Sequence, residues 1–345
     1  MKILITGGTG FIGSHTVVEL ILSGHDVVII DNLSNSTIAV LDAIEKITNV
    51  RPKFEEFDLA NENLTSDFFR NNHDFDGIIH FAAHKYVGES VENPLKYYHN
   101  NLFSLINILQ EMKKYDIHNI VFSSSCTVYG QPEVLPVKEN APVMAALSPY
   151  GNTKQIAEEI LRDFTLSHPA NVIALRYFNP IGAHDSALIG ELPIGVPQNL
   201  IPFITQTGIG IRERLSVFGN DYNTPDGTCI RDYIHVVDLA KAHIIAVERL
   251  VNNKMKAHFE VFNIGTGNGI SVLQVIETFE RVSKTKLNYI FKPRRAGDIE
   301  QVWAETTLAN TELGWKAKKT LDEMVLSAWN WELKLANNAS LRNNE

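Results

Sequence analysis

GGTGFIG at residues 7–13 is the stretch that decides the fold of this chain, and it directly follows the apolar run MKILIT at residues 1–6. Gly7, Gly10 and Gly13 form a G-x-x-G-x-x-G variant of the fingerprint G-x-G-x-x-G. In that fingerprint, glycines permit a tight turn from strand to helix, close approach of the backbone to a pyrophosphate, and close packing of the helix on the sheet. The stretch therefore predicts a buried strand, a glycine turn and a helix whose first N–H groups face an anion.

Asp31 supports the dinucleotide interpretation of this turn. It lies 18 residues beyond Gly13, at the end of the second predicted strand, where an acidic residue binds the adenosine ribose in such folds. A carboxylate at this position accepts hydrogen bonds from the ribose hydroxyls and repels a 2′-phosphate. The sequence therefore predicts NAD, rather than NADP, as the cofactor. The alternative is a structural turn that binds no ligand.

Strand and helix patterns alternate along the first half of the chain. Six apolar runs are typical of buried strands, and four segments between them carry apolar residues at helical spacing. The predicted strands are residues 2–6, 26–30, 53–57, 77–81, 119–123 and 171–177, and the predicted helices are residues 12–23, 39–46, 102–114 and 150–167. This alternation predicts an α/β fold with a Rossmann-like doubly wound parallel sheet.

Beyond residue 179, proline and glycine divide the chain into loops and short elements. We interpret this part as a second, smaller α/β substrate-binding domain that lines a cleft over the sheet. Residues 237–250 again have a helical pattern and residues 261–264 the pattern of a strand, which indicates a return to the first domain. The expected division is a NAD-binding Rossmann domain of residues 1–180 with 234–263, a substrate domain of residues 181–233 with 264–335, and a polar tail of residues 336–345.

Composition argues against several classes of protein. The 345 residues are 44% hydrophobic and carry a formal charge of −9 with no basic stripe, so nucleic acid is not an expected partner. Cys126 and Cys229 stand without a C-x-x-C pair or any metal-ligand spacing, which argues against a disulfide scaffold and a metal site. The apolar opening is too short for a signal peptide, and no run approaches the ~18 apolar residues of a membrane span. We therefore expect a soluble, cytoplasmic protein without a metal.

Tyr150 and Lys154 stand at i and i+4 in SPYGNTK, residues 148–154. A helix that begins near Pro149 places both side chains on one face. A free tyrosine hydroxyl has a pKa of about 10 and is a poor base, but a nearby ammonium group favours the phenolate. Such spacing also arises when a buried aromatic residue stands beside a surface lysine, so the rest of the chain has to distinguish the two interpretations.

The glycine stretch, Asp31, the serines at 123–125 and the Tyr150–Lys154 pair occur in the order of the extended short-chain dehydrogenase/reductase superfamily, which the chain resembles. Longer strings are similar to the UDP-glucose 4-epimerases of that superfamily. These strings are HFAA at 80–83, VGES at 87–90, SSSCTVYG at 123–130, RYFNP at 176–180, GAH at 182–184, FGNDY at 218–222, RDYIH at 231–235 and PRRAGD at 293–298. The resemblance extends from residue 1 to about residue 331.

The resemblance implies roles for individual residues. The expected catalytic residues are Tyr150 as acid/base, Lys154 as its activating lysine and Ser125 as the hydroxyl that orients the substrate. The expected NAD-binding residues are Gly7, Gly10, Phe11, Ile12, Gly13, Asp31, Asn32, Asp58, Leu59, Phe81, Lys85, Asn100, Ser123, Tyr150, Lys154 and Tyr177. The expected substrate-binding residues are Ser125, Tyr150, Asn179, Asn199, Leu200, Phe218, Arg231, Tyr233, Arg295, Asp298 and Val302.

Within the substrate set, the resemblance divides the contacts between diphosphate, sugar and nucleoside. Arg231 and Arg295 are expected to hold the diphosphate, because the planar guanidinium group makes bidentate, charge-assisted hydrogen bonds to phosphate. Asp298 is expected to bind the uridine ribose. Asn179 and Asn199 are expected to contact the diphosphate or the sugar.

Alternative interpretations remain open for four of these residues. Arg231 can instead form an ion pair with Asp232, its neighbour in the sequence, or with another acidic residue. Asp58 can instead cap the helix that follows it. Phe218 and Tyr233 are expected to bound the uracil pocket, but as isolated aromatic residues they are equally typical of a core.

The implied activity is the interconversion of UDP-glucose and UDP-galactose through a transient 4-keto sugar, with reversible hydride transfer to NAD. Tyr150 exchanges the proton of the sugar 4-hydroxyl, while Lys154 hydrogen-bonds the nicotinamide ribose and lowers the pKa of the tyrosine. Residues 126–128 contain no carboxylate, whereas the nucleotide-sugar 4,6-dehydratases of the superfamily carry Asp-Glu near this position to eliminate water. Val302 stands where many relatives have tyrosine, so N-acetylated UDP-hexosamines are further candidate substrates.

Two other functions compete with this one. The first is a related NAD-dependent epimerase that acts mainly on UDP-N-acetylglucosamine and UDP-N-acetylgalactosamine, or on a UDP-uronic acid. The second is a non-catalytic NAD-sensing module, which generally loses the tyrosine–lysine pair. The resemblance also implies a homodimer, formed by the helices that follow Asn101 and Tyr150; otherwise the outer faces of these helices are solvated.

Overall fold

The computed structural model describes residues 1–295 and 298–337. Its helices are α1 (Phe11–Leu22), α2 (Ala39–Thr48), α3 (Glu62–Asn71), α4 (Val87–Glu92), α5 (Pro94–Lys114), α6 (Pro149–Ser167), α7 (Leu200–Gly208), α8 (Val236–Val251), α9 (Val272–Ser283) and α10 (Leu321–Ala336). Its strands are β1 (Lys2–Thr6), β2 (Asp26–Asp31), β3 (Lys53–Glu56), β4 (Gly77–His80), β5 (Asn119–Ser125), β6 (Asn171–Tyr177), β7 (Asn179–Ile181), β8 (Leu215–Phe218), β9 (Ile230–Arg231), β10 (Tyr233–His235), β11 (Phe259–Ile264), β12 (Ile270–Ser271), β13 (Tyr289–Lys292) and β14 (Gln301–Val302).

Seven of the strands form one parallel sheet in the order β11-β6-β5-β4-β1-β2-β3. Thr6 of β1 pairs with His80 of β4, and Ser125 of β5 pairs with Tyr177 of β6. Because the order of the strands reverses between β1 and β4, a crevice opens at their carboxyl ends, where ligands bind in such folds. The sheet confirms the predicted Rossmann-like doubly wound α/β fold.

Alternate residues of the strands enter two different cores. Ile3 and Ile5 of β1 pack on one face of the sheet with Val17 of α1. Leu4, which lies between them, packs on the other face with Ile108 of α5. Successive side chains of a strand point to opposite faces of the sheet. Because helices cover both faces of this parallel sheet, each strand has a continuous run of apolar residues in the sequence. This is the reason that the strands were recognisable in the sequence.

Three helices of the first 180 residues, α3, α4 and α5, differ from the prediction, and the short α4 was not expected. The whole of α3 was missed, because its ten residues bury little more than Thr65, Phe68 and Phe69. The side chain of Asn61 accepts a hydrogen bond from the backbone of Leu64 at 3.2 Å, and this N-cap was the available sequence signal. Helix α5 begins at Pro94 rather than at residue 102, with proline in its first turn.

The remaining strands form three small sheets, with orders β10-β7, β12-β9-β14 and β13-β8. Helices α7, α9 and α10 cover them with a separate core, which includes Ile204, Phe279 and Trp329. Strand β11 returns to the large sheet beside β6, as the strand pattern predicted. Helix α10 continues through residue 336, the first residue of the predicted polar tail, and residues 338–345 of that tail lie outside the described residues. No described helix combines the length and apolarity that a membrane span needs.

Candidate active site

The turn between β1 and α1 leaves no room for side chains. Gly7 has φ +70°, and a Cβ atom there would lie 2.8 Å from the backbone nitrogen of Ala82. A Cβ atom at Gly13 would lie 2.2 Å from the carbonyl oxygen of Gly7. Gly10 is the N-cap of α1, which has neither a side-chain cap nor an acidic residue in its first turn. The start of α1 therefore offers backbone N–H groups to an anion such as a pyrophosphate.

Asp31 ends β2 beside this turn. Its carboxylate accepts hydrogen bonds from the backbone N–H groups of Thr9 at 3.2 Å and of Leu33 at 3.0 Å. The side chain of the neighbouring Asn32 accepts one from the backbone of Ser34 at 3.1 Å. A partly exposed carboxylate beside a helix start without a side-chain cap suits the ribose and the pyrophosphate of NAD. The residues present thus fit the cofactor that the sequence predicts.

Four further NAD-binding candidates lie on elements that border the crevice. Phe11 and Ile12 are the first residues of α1. Phe81 directly follows β4 at the carboxyl edge of the sheet, and Asn100 lies in the first half of α5. The amide of Asn100 donates a hydrogen bond to the side chain of Asn101 at 2.9 Å. Their positions agree with the expected roles, which remain predictions.

Asp58 and Leu59 make local contacts in the turn before α3. The carboxylate of Asp58 accepts a hydrogen bond from the backbone of Ala60 at 2.9 Å, which stabilises a turn, while Asn61 caps the helix α3. Leu59 is only 3% exposed, and its side chain packs in the core. Its carbonyl oxygen accepts a hydrogen bond from the amide of Asn107 at 2.8 Å. The side chain of Leu59 therefore belongs to the core, and a contact of residue 59 with the cofactor stays a prediction.

The three serines at the end of β5 point alternately to the two faces of the sheet. The hydroxyl of Ser123 hydrogen-bonds that of Tyr177, and both are NAD-binding candidates. The hydroxyl of Ser124 donates to the buried carboxylate of Glu158 at 2.5 Å. Ser125 faces the same way as Ser123 because strand side chains repeat every two residues. Of the three, Ser125 is therefore the one left at the strand end to orient a substrate.

Tyr150 and Lys154 lie together in the first two turns of α6, which Ser148 caps by accepting a hydrogen bond from the backbone of Gly151 at 3.1 Å. The ammonium group of Lys154 donates to the carbonyl oxygen of Ser123 at 2.6 Å. It also lies 5.9 Å from the centre of the Tyr150 ring. The pair therefore lies on one helix, as its spacing predicted, and stands directly beside the end of β5.

The pKa values of this pair differ from the sequence-based expectation. Burial raises the pKa of Tyr150 to about 12, although a hydrogen bond with Ser125 lowers it in part. Burial also lowers the pKa of Lys154 to about 7. Desolvation penalises the charged form of both groups. In the protein alone the pKa of Tyr150 therefore lies above its ordinary value, and the expected lowering of this pKa by Lys154 stays a prediction.

Arg231 and Val302 face each other across two short strands. The register of β9 and β14 pairs Val302 directly with Arg231. Val302 is 3% exposed and packs with Val128 and Phe178, so its side chain is buried under the end of β5 and β6. The guanidinium of Arg231 donates to the carbonyl oxygen of Ile230 at 2.9 Å. This places Arg231, which is expected to bind the diphosphate, next to Val302, which is expected to leave more room than tyrosine at the sugar 2-position.

Asp232 does not form the ion pair that was the alternative for Arg231. Its fully buried carboxylate accepts hydrogen bonds from the backbone N–H groups of Thr266 at 2.8 Å, Gly267 at 3.0 Å and Ala304 at 3.1 Å. Burial raises the pKa of Asp232 even though these donors oppose the shift. Asp232 therefore fixes two segments beside Arg231, one at residues 266–267 and one at residue 304, a role that no local sequence pattern marked.

Arg295, Asp298 and Phe218 come together on the other side of the small sheets. The guanidinium of Arg295 donates to both carboxylate oxygens of Asp298, at 3.0 and 3.2 Å. The same guanidinium lies 4.7 Å from the centre of the Phe218 ring. Its side chain is 55% exposed, so it is accessible to a ligand. Residues 296 and 297 of the PRRAGD string lie outside the described residues.

The other substrate-binding candidates have mixed surroundings. The backbone N–H of Asn179 donates to the carbonyl oxygen of Asp232 at 2.9 Å. Tyr233 is 3% exposed and packs in the core around α7, which favours its alternative interpretation as a core residue. Leu200 is the first residue of α7, and Asn199 is its N-cap. The amide of Asn199 donates to the carboxylate of Glu191 at 2.6 Å.

Two polar residues that connect the site were missed. Asn101 accepts a hydrogen bond from the backbone of His84 at 2.8 Å and donates to the hydroxyl of Thr153 at 3.2 Å, so it ties the loop that carries Lys85 to α6. A polar residue on the apolar face of a helix was the available signal. Glu191 pairs with Lys85 at 3.0 Å, and no local pattern in the sequence marks this contact.

One side-chain cluster has the composition of a metal site, although no metal-ligand motif was found in the sequence. Asp116, His118 and His168 each place one potential ligand atom within 4.8 Å of the others. They lie at the opposite end of the sheet, before β5 and β6. The side chain of Asp116 is 81% exposed and lies 3.5 Å from the imidazole of His118, an arrangement that a surface ion pair explains.

Comparison with known proteins agrees with this geometry. A family model described as GDP-mannose 4,6 dehydratase matches residues 4–327. The UDP-glucose 4-epimerase of Bacillus subtilis (strain 168) is 49% identical over 333 residues, which cover 96% of this chain and 97% of that protein. The UDP-glucose 4-epimerase of Yersinia enterocolitica is 48% identical with the same coverage.

Solved structures give the same result. The UDP-glucose 4-epimerase from Bifidobacterium longum, in complex with NAD+ and UDP, superposes with a TM-score of 0.93 at 45% identity and covers 98% of this chain and 99% of that one. The UDP-glucose-4-epimerase from Stenotrophomonas maltophila, with bound NAD and formylated UDP-arabinopyranose, gives a TM-score of 0.94 at 43% identity, again over 98% and 99% of the two chains. By sequence and by fold, this chain belongs to the UDP-glucose 4-epimerase family.

Proposed function

We propose that this protein interconverts UDP-glucose and UDP-galactose by inverting C4 of the sugar through a transient 4-keto intermediate. The observation that carries the proposal is the placement of Tyr150, Lys154 and Ser125 at the carboxyl end of β5, on the same edge of the sheet as the glycine turn. The absence of a carboxylate at residues 126–128 supports an epimerase over a dehydratase, since no group there removes a proton for elimination of water.

When bound, NAD supplies the reversible hydride acceptor for C4. The residues proposed to hold it are those of the glycine turn, with Asp31 at the ribose and Lys85 near the pyrophosphate. Lys154, fixed by the carbonyl oxygen of Ser123 at 2.6 Å, is proposed to hydrogen-bond the nicotinamide ribose. Its position on α6, beside the end of β5, keeps this ammonium group inside the site, and within the described part of the chain it forms no ion pair with a surface acid.

Tyr150 is proposed to take the proton from the sugar 4-hydroxyl and later to return it. Because burial raises its pKa to about 12, the tyrosine is protonated at neutral pH in the protein alone. It acts as a base only when positive charge in the occupied pocket stabilises the phenolate. Ser125, whose hydroxyl lowers the pKa of Tyr150 in part, is proposed to align the 4-hydroxyl for this transfer. A positioned acid/base contributes about 10²–10⁴ to a rate.

The UDP part of the substrate is proposed to bind across the small sheets. Arg231 and Arg295 hold the diphosphate, Asp298 binds the uridine ribose, and Phe218 stacks beside the uracil. Val302, which pairs with Arg231 in the neighbouring strand, leaves more space than tyrosine at the sugar 2-position. We therefore propose UDP-N-acetylglucosamine as a second substrate; turnover of UDP-galactose without any turnover of the N-acetylated sugar contradicts this extension.

The proposed reaction is tested by incubating the purified protein with UDP-galactose and no added NAD, and by assaying UDP-glucose. Turnover is expected because the oxidation and the reduction cancel within one cycle, so retained cofactor suffices. A panel that includes the N-acetylated and uronic UDP-sugars measures which of them is preferred. No conversion of any UDP-sugar, even with added NAD, would exclude the proposal.

We also propose a homodimer, a cytoplasmic location and the two-domain division given by the sequence. The dimer is supported by exposed apolar side chains on α5 and α6, where Leu95 is 80% exposed and Leu166 is 82% exposed. The free thiols of Cys126 and Cys229 are typical of a reducing compartment. Size-exclusion chromatography with light scattering tests the dimer, and a monomer at micromolar concentration would contradict it.

A further inference from the structure

Glu191 lies in the segment between β7 and α7 and is nearly buried, with a side chain that is 10% exposed. One of its carboxylate oxygens, Oε1, accepts hydrogen bonds from two donors. The ammonium group of Lys85 lies 3.0 Å from it and the amide nitrogen of Asn199 lies 2.6 Å from it. A single oxygen therefore connects two side chains that are 114 positions apart in the sequence (residues 85 and 199).

The two donors belong to different sides of the site. The ammonium group of Lys85 lies 5.9 Å from the ring of Phe11, the first residue of α1 after the glycine turn. Asn199 is the N-cap of α7, on the side of the small sheets, and its amide does not cap that helix. Lys85 is the proposed contact to the cofactor, and Asn199 is a proposed contact to the substrate.

The backbone that carries Glu191 is anchored independently of its side chain. The carbonyl oxygen of Glu191 accepts a hydrogen bond from the indole N–H of Trp331 in α10 at 3.1 Å. A Cβ atom at Gly190 would lie 2.5 Å from the same indole ring, so the segment packs tightly on α10. The carboxylate is therefore held in place by the small-sheet side while it reaches Lys85 on the large-sheet side.

We infer that Glu191 is a positioning residue that couples the cofactor pocket to the substrate pocket. It partly neutralises Lys85, and thereby sets how strongly that lysine attracts the NAD pyrophosphate. It also fixes the amide of Asn199, and thereby sets how this amide faces the substrate. The substrate half of the inference rests on the proposed function, whereas the cofactor half requires only that the protein binds NAD.

The charges around Lys85 support this role. Burial lowers the pKa of Lys85, but the carboxylate of Glu191 more than offsets it, so the pKa lies above the usual value. An ammonium group paired at 3.0 Å shares its attraction between the carboxylate and any anion nearby. Without the negative charge of Glu191, the full positive charge of Lys85 is available to attract the pyrophosphate. The same change weakens the hydrogen bond from the amide of Asn199 to residue 191, which orients that amide.

The test is Glu191→Gln, which keeps the shape and one acceptor oxygen but removes the charge. NAD that remains after extended dialysis is measured after acid denaturation, and KM and kcat are measured with UDP-galactose. We expect NAD loss to slow by about threefold to tenfold and KM to rise by a similar factor, because each change alters one charge-assisted hydrogen bond. The value of kcat should change by less than about twofold, since Glu191 touches no reacting atom.

The second test introduces Glu191→Gln into a Lys85→Met variant. In Lys85→Met, the further change Glu191→Gln should not alter NAD loss, because the lysine through which Glu191 acts is gone. Glu45→Gln is the matched control, since Glu45 pairs with Arg51 at 2.8 Å on the exposed face of α2. That variant should match the wild type in NAD loss, KM and kcat.

Several outcomes would overturn the inference. One is a Glu191→Gln variant with unchanged NAD loss and unchanged KM; another is an effect on NAD loss that persists in Lys85→Met. If the glutamine variant does not fold, Glu191→Asp keeps the charge, and the inference then requires a raised KM with NAD loss near the wild-type rate. A wild-type protein that binds NAD but converts no UDP-sugar refutes the proposed function while NAD loss still tests the cofactor half.

Discussion

The cofactor side of the site is built from consecutive elements of one sheet, whereas the substrate side is assembled from segments far apart in the chain. On the cofactor side, β1, the glycine turn and α1 follow one another within residues 2–22. On the substrate side, β9 is joined by β12 and β14, which come from residues 270–271 and 301–302. The first side depends on local backbone geometry and the second on contacts between distant segments.

The difference also shows in how charges are held. The cofactor side offers a helix start without a side-chain cap and a lysine, Lys154, whose charge burial disfavours. The substrate side contains the ion pair of Arg295 with Asp298 and the buried carboxylate of Asp232, which accepts hydrogen bonds from backbone N–H groups. A ligand that binds Arg295 must therefore compete with Asp298, whereas the start of α1 and the ammonium group of Lys154 form no ion pair with the described residues. We expect substitutions to lower activity most on the cofactor side.

Tyr150→Phe should have the largest effect of all substitutions. It removes the proposed proton acceptor, and turnover should fall by about 10²–10⁴ or more. NAD should still be retained, because the glycine turn and Asp31 are untouched. Stopped-time assays of UDP-glucose formation measure the loss, and circular dichroism confirms the fold. Activity within a few-fold of the wild type would remove Tyr150 from the mechanism.

Gly7→Ala should have the second largest effect, because it weakens the binding of the cofactor. The new Cβ atom would lie 2.8 Å from the backbone of Ala82 in a left-handed conformation of φ +70°. NAD affinity should fall by about tenfold or more, the equivalent of about 1.4 kcal/mol. Gly24→Ala is the matched control, since Gly24 has φ +80° with no atom within 4 Å of its added Cβ. Equal NAD affinities in the two variants would show that backbone strain, rather than the close approach, determines the effect.

Arg295→Ala should have a smaller effect, confined to substrate binding. KM for UDP-galactose should rise by about tenfold with little change in kcat, because the lost charge-assisted bonds are partly offset by release of Asp298. Arg294→Ala is the control, because Arg294 pairs with Asp221 at 2.8 Å. A rise in KM for Arg294→Ala as large as that for Arg295→Ala would show that charge in this segment, rather than Arg295 itself, binds the diphosphate.

The smallest expected effect concerns the pH dependence of stability, which Lys154 determines in the protein freed of NAD. Burial lowers its pKa in the folded state to about 7, whereas an unfolded lysine titrates near about 10.4. Between these values the unfolded chain binds the additional proton, so stability rises with pH by about 1 kcal/mol per unit. Urea melts of wild type and Lys154→Met across this range measure the slope. An identical slope in both proteins would contradict the buried, weakly basic lysine.

The same contrast explains what the sequence could predict. Local sequence patterns mark Gly7, Asp31 and the pair Tyr150–Lys154. Each pattern extends over a few residues or one strand–helix unit, so hydrophobic periodicity and turn chemistry are sufficient to detect it. Asp232 binds backbone groups 34 to 72 residues away, and Lys85 meets Glu191 across 106 residues. Such contacts depend on how the small sheets pack, and no local pattern encodes them. The missed helix α3 has a polar composition, so only its N-cap marks it.

The central claim is that hydrogen leaves C4 of the sugar as hydride and returns to the same carbon inside a closed site. UDP-galactose that carries deuterium at C4, incubated with the wild-type protein in ordinary water, tests this most directly. The account predicts UDP-glucose with the deuterium fully retained at C4, as measured by NMR and mass spectrometry. Loss of deuterium to water, or its transfer to C6, would contradict the account, because either result requires chemistry other than a reversible oxidation at C4.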